Sequence, residues 1–119
     1  MASNRYKDLF EHLKGKGYKI YPPTGKMGQC LEPYLVINGA GVLKFEQYSS
    51  TQHIYDIMLY VPVNKFSEIE DLMNNLKAAM QELEPMFKPA YVETPPFYDE
   101  SVNGFMVSVQ YINYRQIIR

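Results

Sequence analysis

The run from His53 to Val63 is apolar on both of its alternating faces, and that constrains the fold more than any other feature of the chain. Read as a strand, it places Tyr55, Ile57, Leu59 and Val61 on one side and Ile54, Asp56, Met58 and Tyr60 on the other, because successive strand residues point to opposite faces of a sheet. A strand that is apolar on both sides is expected to be covered on both. At 119 residues the chain has the length of one domain, and only one of the two faces can meet its own helices. The second is expected to face another subunit. Asp56 sharpens this expectation, since a carboxylate within an apolar strand is costly to bury without a partner. That partner is expected from another strand or another chain.

The elements around this strand follow from periodicity. Tyr6, Leu9, Phe10 and Leu13 recur at helical spacing and predict a short amphipathic helix over residues 5–14, with Asn4 as N-cap and Gly15-Lys16-Gly17 as the stop. Phe66, Ile69, Leu72, Met73, Leu76, Met80 and Leu83 form one stripe and predict a longer helix over 65–84 that ends at Pro85. Ser67 and Glu70 fit a capping box, with Asn64 as the alternative cap.

Strand signals fill most of the rest. Tyr18–Tyr21 and Pro33–Ile37 read as short strands. Asn38-Gly39-Ala40-Gly41 predicts a tight hairpin turn into a strand from Val42 to Tyr48. A hairpin that short leaves no extended arm. Residues 86–92 read as a short edge strand interrupted by Pro89, residues 93–103 as a long loop, and Phe105–Tyr114 as the last strand. Strands that cluster between two helices predict a single α+β domain over residues 1–119. Its antiparallel or mixed sheet is packed by one long and one short amphipathic helix.

Composition excludes several classes of function. A formal net charge of −1, with scattered lysines and arginines, argues against a strongly basic nucleic-acid binder. No apolar run reaches the roughly 18 residues of a membrane-spanning helix, and no signal peptide is visible in the polar opening. A cytoplasmic protein is the expectation. One cysteine, Cys30, allows no internal disulfide or thiolate zinc site and is expected to be a small buried side chain. The 11 tyrosines are the outlier, a residue suited to surfaces that are wet in one state and buried in another.

Catalytic patterns fail one by one. Gly25-Lys26 lacks both the upstream glycine and the following Ser or Thr of a phosphate-binding loop. Gly39-Ala40-Gly41 leads into a strand rather than a helix. His53 and Asp56, three apart on a strand, point to opposite faces. His12, His53 and Cys30 lack metal-ligand spacing. No catalytic residue, cofactor or metal is expected. Phe97, Tyr98, Asp99 and Glu100 read first as an exposed loop, and their aromatic and acidic side chains also suit a contact or catalytic loop.

The order of pieces resembles the tail terminator and tail-completion (head–tail joining) proteins of long-tailed phages and phage-derived particles. An N-terminal helix leads to Tyr18-Lys19-Ile20-Tyr21-Pro22-Pro23, then to Glu32-Pro33-Tyr34-Leu35-Val36-Ile37. A long strand ending at Pro62 runs straight into the helix Ser67–Leu83, and a final strand ends in Tyr111-Ile112-Asn113-Tyr114. The resemblance implies a structural subunit of a homo-oligomeric ring, commonly a hexamer. Such a ring caps the tail-tube protein, ends polymerisation and offers a surface to the head connector protein, with DNA passing through the lumen without sequence-specific binding. It implies a place in the tail of a virion or phage-like particle, assembled in the host cytoplasm.

On this reading the subunit interface is the Ile54, Asp56, Met58, Tyr60 face together with Val42, Lys44, Glu46 and Tyr48, and Phe97–Glu100 meet the tube or connector. The alternative is a small module that binds single-stranded nucleic acid on a tyrosine-rich sheet. A small enzyme using Asp56 or His53 has least support.

Overall fold

The first helix forms where its pattern predicts, as α1 (Tyr6–Gly15), and buries Leu9 and Leu13 completely. Gly17 adopts a φ of +98°, which lets the chain turn so that the Tyr18 amide donates to the Leu13 carbonyl at 3.3 Å and closes the helix. The computed structural model describes residues 6–22, 28–45, 50–84 and 86–116. Asn4 and Pro85, expected as helix cap and helix stop, lie outside them, as do Glu46 and Tyr48.

After α1 come β1 (Ile20–Tyr21), β2 (Tyr34–Phe45), β3 (Ser50–Pro62), a 3-10 turn over Val63–Glu68, α2 (Ile69–Gln81), β4 (Phe87–Glu93), β5 (Phe97–Asp99) and β6 (Gly104–Gln116). The strands form one mixed sheet in the order β1-β2-β3-β6-β4, with β5 paired to β6. Only β1 runs parallel to its neighbour. The fold is therefore α+β, a six-stranded mixed sheet with two helices, as the clustering of strands predicts.

Three expectations are corrected. The first concerns Asn38-Gly39. The chain does not turn there, and β2 runs straight through to Phe45. Its register slips by one residue, from Gly39 opposite Tyr55 to Gly41 opposite Ile54. Turn-prone glycines serve here as a β-bulge, because the 13-residue β3 offers ladder partners along the whole of β2. The arm that a short hairpin would preclude exists: β2, β3 and β6 stay paired out to Phe45, Ser50 and Gln116.

The second correction is at the start of α2. Helical geometry begins at Ile69 with Glu68 at the N-cap and no side-chain cap, so neither Ser67 nor Asn64 plays that part. The 3-10 turn replaces the expected first turn. In it Phe66 packs on Phe105 with ring centroids 4.4 Å apart. Phe66 stays 43% exposed rather than joining the buried stripe of Ile69, Met73, Leu76, Ala79 and Met80. The third correction is that residues 97–99, expected within a loop, form β5.

Both helices pack on the same side of the sheet. Leu35, Ile37, Tyr55, Ile57, Leu59, Val61, Val107, Val109 and Tyr111 bury against α1 and α2 in one core. The junction between the helices is polar: the His12 Nε2–H donates to the Ala79 carbonyl at 2.9 Å, and Lys16 Nζ lies 2.7 Å from Glu82. Lengths then matter. A 13-residue helix is about 20 Å long, whereas a 13-residue strand reaches about 40 Å, so α2 can cover only half of β3 and β6. Among the described side chains the helix-side buried rows run as far as Tyr55 and Asn113, and strand pairing continues past them.

Candidate interaction surface

Among the described residues no helix packs on the opposite face of the sheet, and cross-strand register assembles it in rows. At one end Tyr34, Tyr60, Met106 and Phe97 stand opposite one another across β2, β3, β6 and β5. The next row is Val36, Met58 and Ser108, and the one after it Asn38, Asp56 and Gln110. Ile54 and Ile112 follow, with Lys88 on the β4 edge. Ile54, Asp56, Met58 and Tyr60 thus share one surface, as their parity predicts, and all four are half-buried.

Full covering of both faces of β3 is not what the single chain provides. A short strap, residues 28–33, roofs only the tyrosine end. There the Cys30 amide donates to the Val102 carbonyl at 2.6 Å, and Cys30, Tyr34 and Val36 form a small buried cluster edged by Tyr21, Met58, Tyr60 and Val102. Cys30 is buried, as expected of a small apolar side chain. Asp56 needs no ionic partner in this setting. It keeps access to water, and its cross-strand neighbours Asn38 and Gln110 are neutral and polar.

The tyrosine end is tightly organised. Tyr34 stacks on Tyr60 (centroids 4.9 Å, planes 13° apart) and meets the edge of Tyr21 at 5.3 Å. Because Tyr34 is 3% exposed and its ring lies against Tyr60, this is not an open platform on which bases could stack. Tyr111 lies on the helix side, away from Tyr60.

Burial raises the phenol pKa values of Tyr34, Tyr60 and Tyr111 above the ordinary value. The negative charge of Asp99 adds to the first two, and Tyr111, near Glu93 and Glu84, is pushed up to about 12. The folded state therefore holds these protons where the unfolded chain releases them, so stability is intact below pH 10 and falls as pH rises toward 12. Phenolate absorbance during an alkaline titration is expected to show Tyr34 and Tyr111 ionising after the exposed tyrosines, together with loss of near-ultraviolet dichroism.

The expected contact segment lies at the same end as the tyrosine row. In β5, Phe97 takes the helix-free parity and is 49% exposed, while Tyr98 lies edge-on to Phe105 at 5.6 Å and is 46% exposed. A built turn holds them. The Tyr98 hydroxyl donates to Asn103 Oδ1 at 2.5 Å, and Asp99 Oδ1 accepts from both the Ser101 amide and its hydroxyl. Asn103 takes a φ of 51°, which asparagine tolerates better than most residues. Glu100 is exposed in that turn.

Leu31, Val63 and Phe66 add exposed apolar surface near this end. The exposure of Leu31 and Val63 was not legible in the sequence, since a single apolar residue in a strap or turn carries no periodicity, and that of Phe66 runs against its place in the helical stripe. Tyr34 could have been placed, because its parity with Val36 is set by the run after Pro33.

Val42 and Lys44 belong to β2, but the bulge changes their alignment. Val42 pairs with His53 and Lys44 with Thr51, out of step with Ile54 and Asp56. His53 and Asp56 have opposite parity on β3. Among the described residues, no three His, Cys, Asp or Glu side chains gather as a metal site, and no helix is long and apolar enough to cross a membrane. No protein-family profile and no curated protein matches the chain.

Proposed function

We propose that the chain is a structural subunit that closes into a ring, hexameric in the manner of the proteins it resembles. The ring caps the tail tube of a phage or phage-like particle, ends tail polymerisation and presents the surface on which a head connector docks. Its place is the particle tail, assembled in the host cytoplasm. The observation that carries this reading is the sheet face opposite the helices, where Ile54, Met58, Tyr60 and Met106 remain partly exposed and the described residues roof only the tyrosine end. Covering such rows with a neighbour removes apolar area at about 25 cal/mol per Å².

The sheet edges support the same reading. Among the described residues β2 is paired on its outer side only by the two residues of β1, and β4 with β5 forms the other edge. A head-to-tail contact between unlike surfaces generates rings when its rotation closes.

The test is assembly. Wild-type protein is expected to form closed rings in sedimentation or on tube ends, and Met58→Glu, at a half-exposed position, is expected to abolish them while leaving the circular dichroism unchanged. Tails of normal length in the absence of the protein, together with no binding to cognate tube ends, would sink the proposal.

A further inference from the structure

On the helix side, the sheet leaves a groove between α2 and the β4 edge. The groove exists because β4 slips by two residues against β6. Pro89 stands opposite Tyr111, but Glu93, four residues on, stands opposite Val109. The chain between them bows away from the sheet, and Pro95-Pro96 extends the wall. Two adjoining cavities of about 540 Å³ and 460 Å³ result, and they share Asn74, Lys77 and Glu93. Val107, Val109 and Tyr111 of β6 line them on the sheet side, and Glu84 and Glu70 stand toward either end. The one lysine in the lining, Lys77, is held by Glu93 at 2.6 Å. Among the described residues neither Glu70 nor Glu84 has an ion pair. The groove is therefore apolar along its floor and acidic at both ends.

We infer that this groove receives the run Arg115-Gln116-Ile117-Ile118-Arg119 of a second copy of the chain. It is the run in this sequence that brackets isoleucines with arginines, so its charges match the two ends of the groove and its apolar centre matches the floor. Within one chain β6 carries Arg115 away from the groove. Four strand residues, about 13 Å, separate it from Tyr111, and it is paired with Thr51 at the end of the ribbon. Residues 117–119 lie outside the described residues.

Insert and groove are different surfaces of one molecule, so the contact is heterologous and propagates from copy to copy. This inference rests on the ring reading and supplies one of its contacts.

Two variants test it in sedimentation velocity on the full chain. Arg115→Glu with Arg119→Glu spoils the insert, and Glu70→Lys with Glu84→Lys, both at exposed positions, spoils the groove. Each is expected to weaken self-association by about tenfold or more. An equal mixture is expected to restore assembly with the two variants alternating, because the wild-type insert of one meets the wild-type groove of the other and the reversed insert meets the reversed groove. All four reversals in one chain are expected to restore assembly.

Variants that assemble like wild type, or a mixture that stays monomeric, overturn the inference. Rings that survive both variants overturn it and leave the ring reading standing. A mixture that reassembles from a protein that fails to cap tubes keeps the inference and overturns the ring reading, and a wild type that is monomeric at high concentration overturns the inference.

Discussion

Phe87→Ala is expected to destabilise the fold by about 3–5 kcal/mol, the range for removing a fully buried phenylalanine. In a domain of this size that lowers the thermal midpoint by roughly 10–20 °C. The Phe87 ring is completely buried, meets Tyr55 edge-on with centroids 5.7 Å apart, and sits opposite Asn113 in the register of β4 with β6. It pins the edge strand to the core beside Tyr55 and Asn113. Its neighbour Asn113 donates from Nδ2 to the Met86 carbonyl at 2.8 Å, while Asn113 Oδ1 is buried with no hydrogen-bond partner among the described residues. A cavity left by the missing ring can admit water to that oxygen, so the loss is expected toward the lower end of the range. A chemical denaturation series with Phe87→Leu as the volume-conserving control measures it. A loss below 1 kcal/mol for Phe87→Ala would show that β4 is not anchored through this side chain.

Gly104→Ala is the second large effect. A methyl group there would lie 2.8 Å from the Val61 carbonyl oxygen and 3.0 Å from Cys30 Cβ. The oxygen belongs to the backbone of β3, so relief requires the strands to separate or the Cys30 strap to lift. Overpacking of this kind costs about 1–3 kcal/mol. Gly104 begins β6, stands opposite Pro62, and closes the β5 turn against Asp99. The strain therefore falls on the tyrosine end, and on the proposed reading weaker binding to tube ends is expected to accompany the lower stability. Cys30→Gly, which removes the Cys30 Cβ, combined with Gly104→Ala is expected to recover only part of the loss, since the contact with Val61 remains. Full recovery would place the conflict entirely at the strap.

The elements legible in the sequence were those whose periodicity is internal to one segment. Leu9 and Leu13 needed only helical spacing, as did Met73, Leu76 and Met80, and they are buried as the spacing predicts. The alternation of β3 was equally plain, with Tyr55, Ile57, Leu59 and Val61 forming the covered side. Less legible were the features that depend on a neighbour. Asn38-Gly39 has the chemistry of a turn, yet β3 runs alongside it and the chain takes a bulge. Ser67 and Glu70 have the spacing of a capping box, yet Phe66 packs on Phe105 and the 3-10 turn takes their place. Phe97 and Tyr98 were visible as aromatic contacts but not as a strand, because three residues flanked by Pro95-Pro96 and a turn show no pattern of their own.

What the sequence by itself determined is the parity of each strand and the apolar stripe of each helix, since both follow from fixed backbone periods. Which of two apolar faces receives the helices was decided only in three dimensions. Alternation makes the faces of β3 equivalent in kind, and the side on which α1 and α2 both pack depends on how the connections cross the sheet. The length of ribbon left beyond them was likewise a tertiary outcome, because a helix rises about 1.5 Å per residue and a strand about 3.3 Å. At equal residue counts a helix therefore spans only about half the length of a strand.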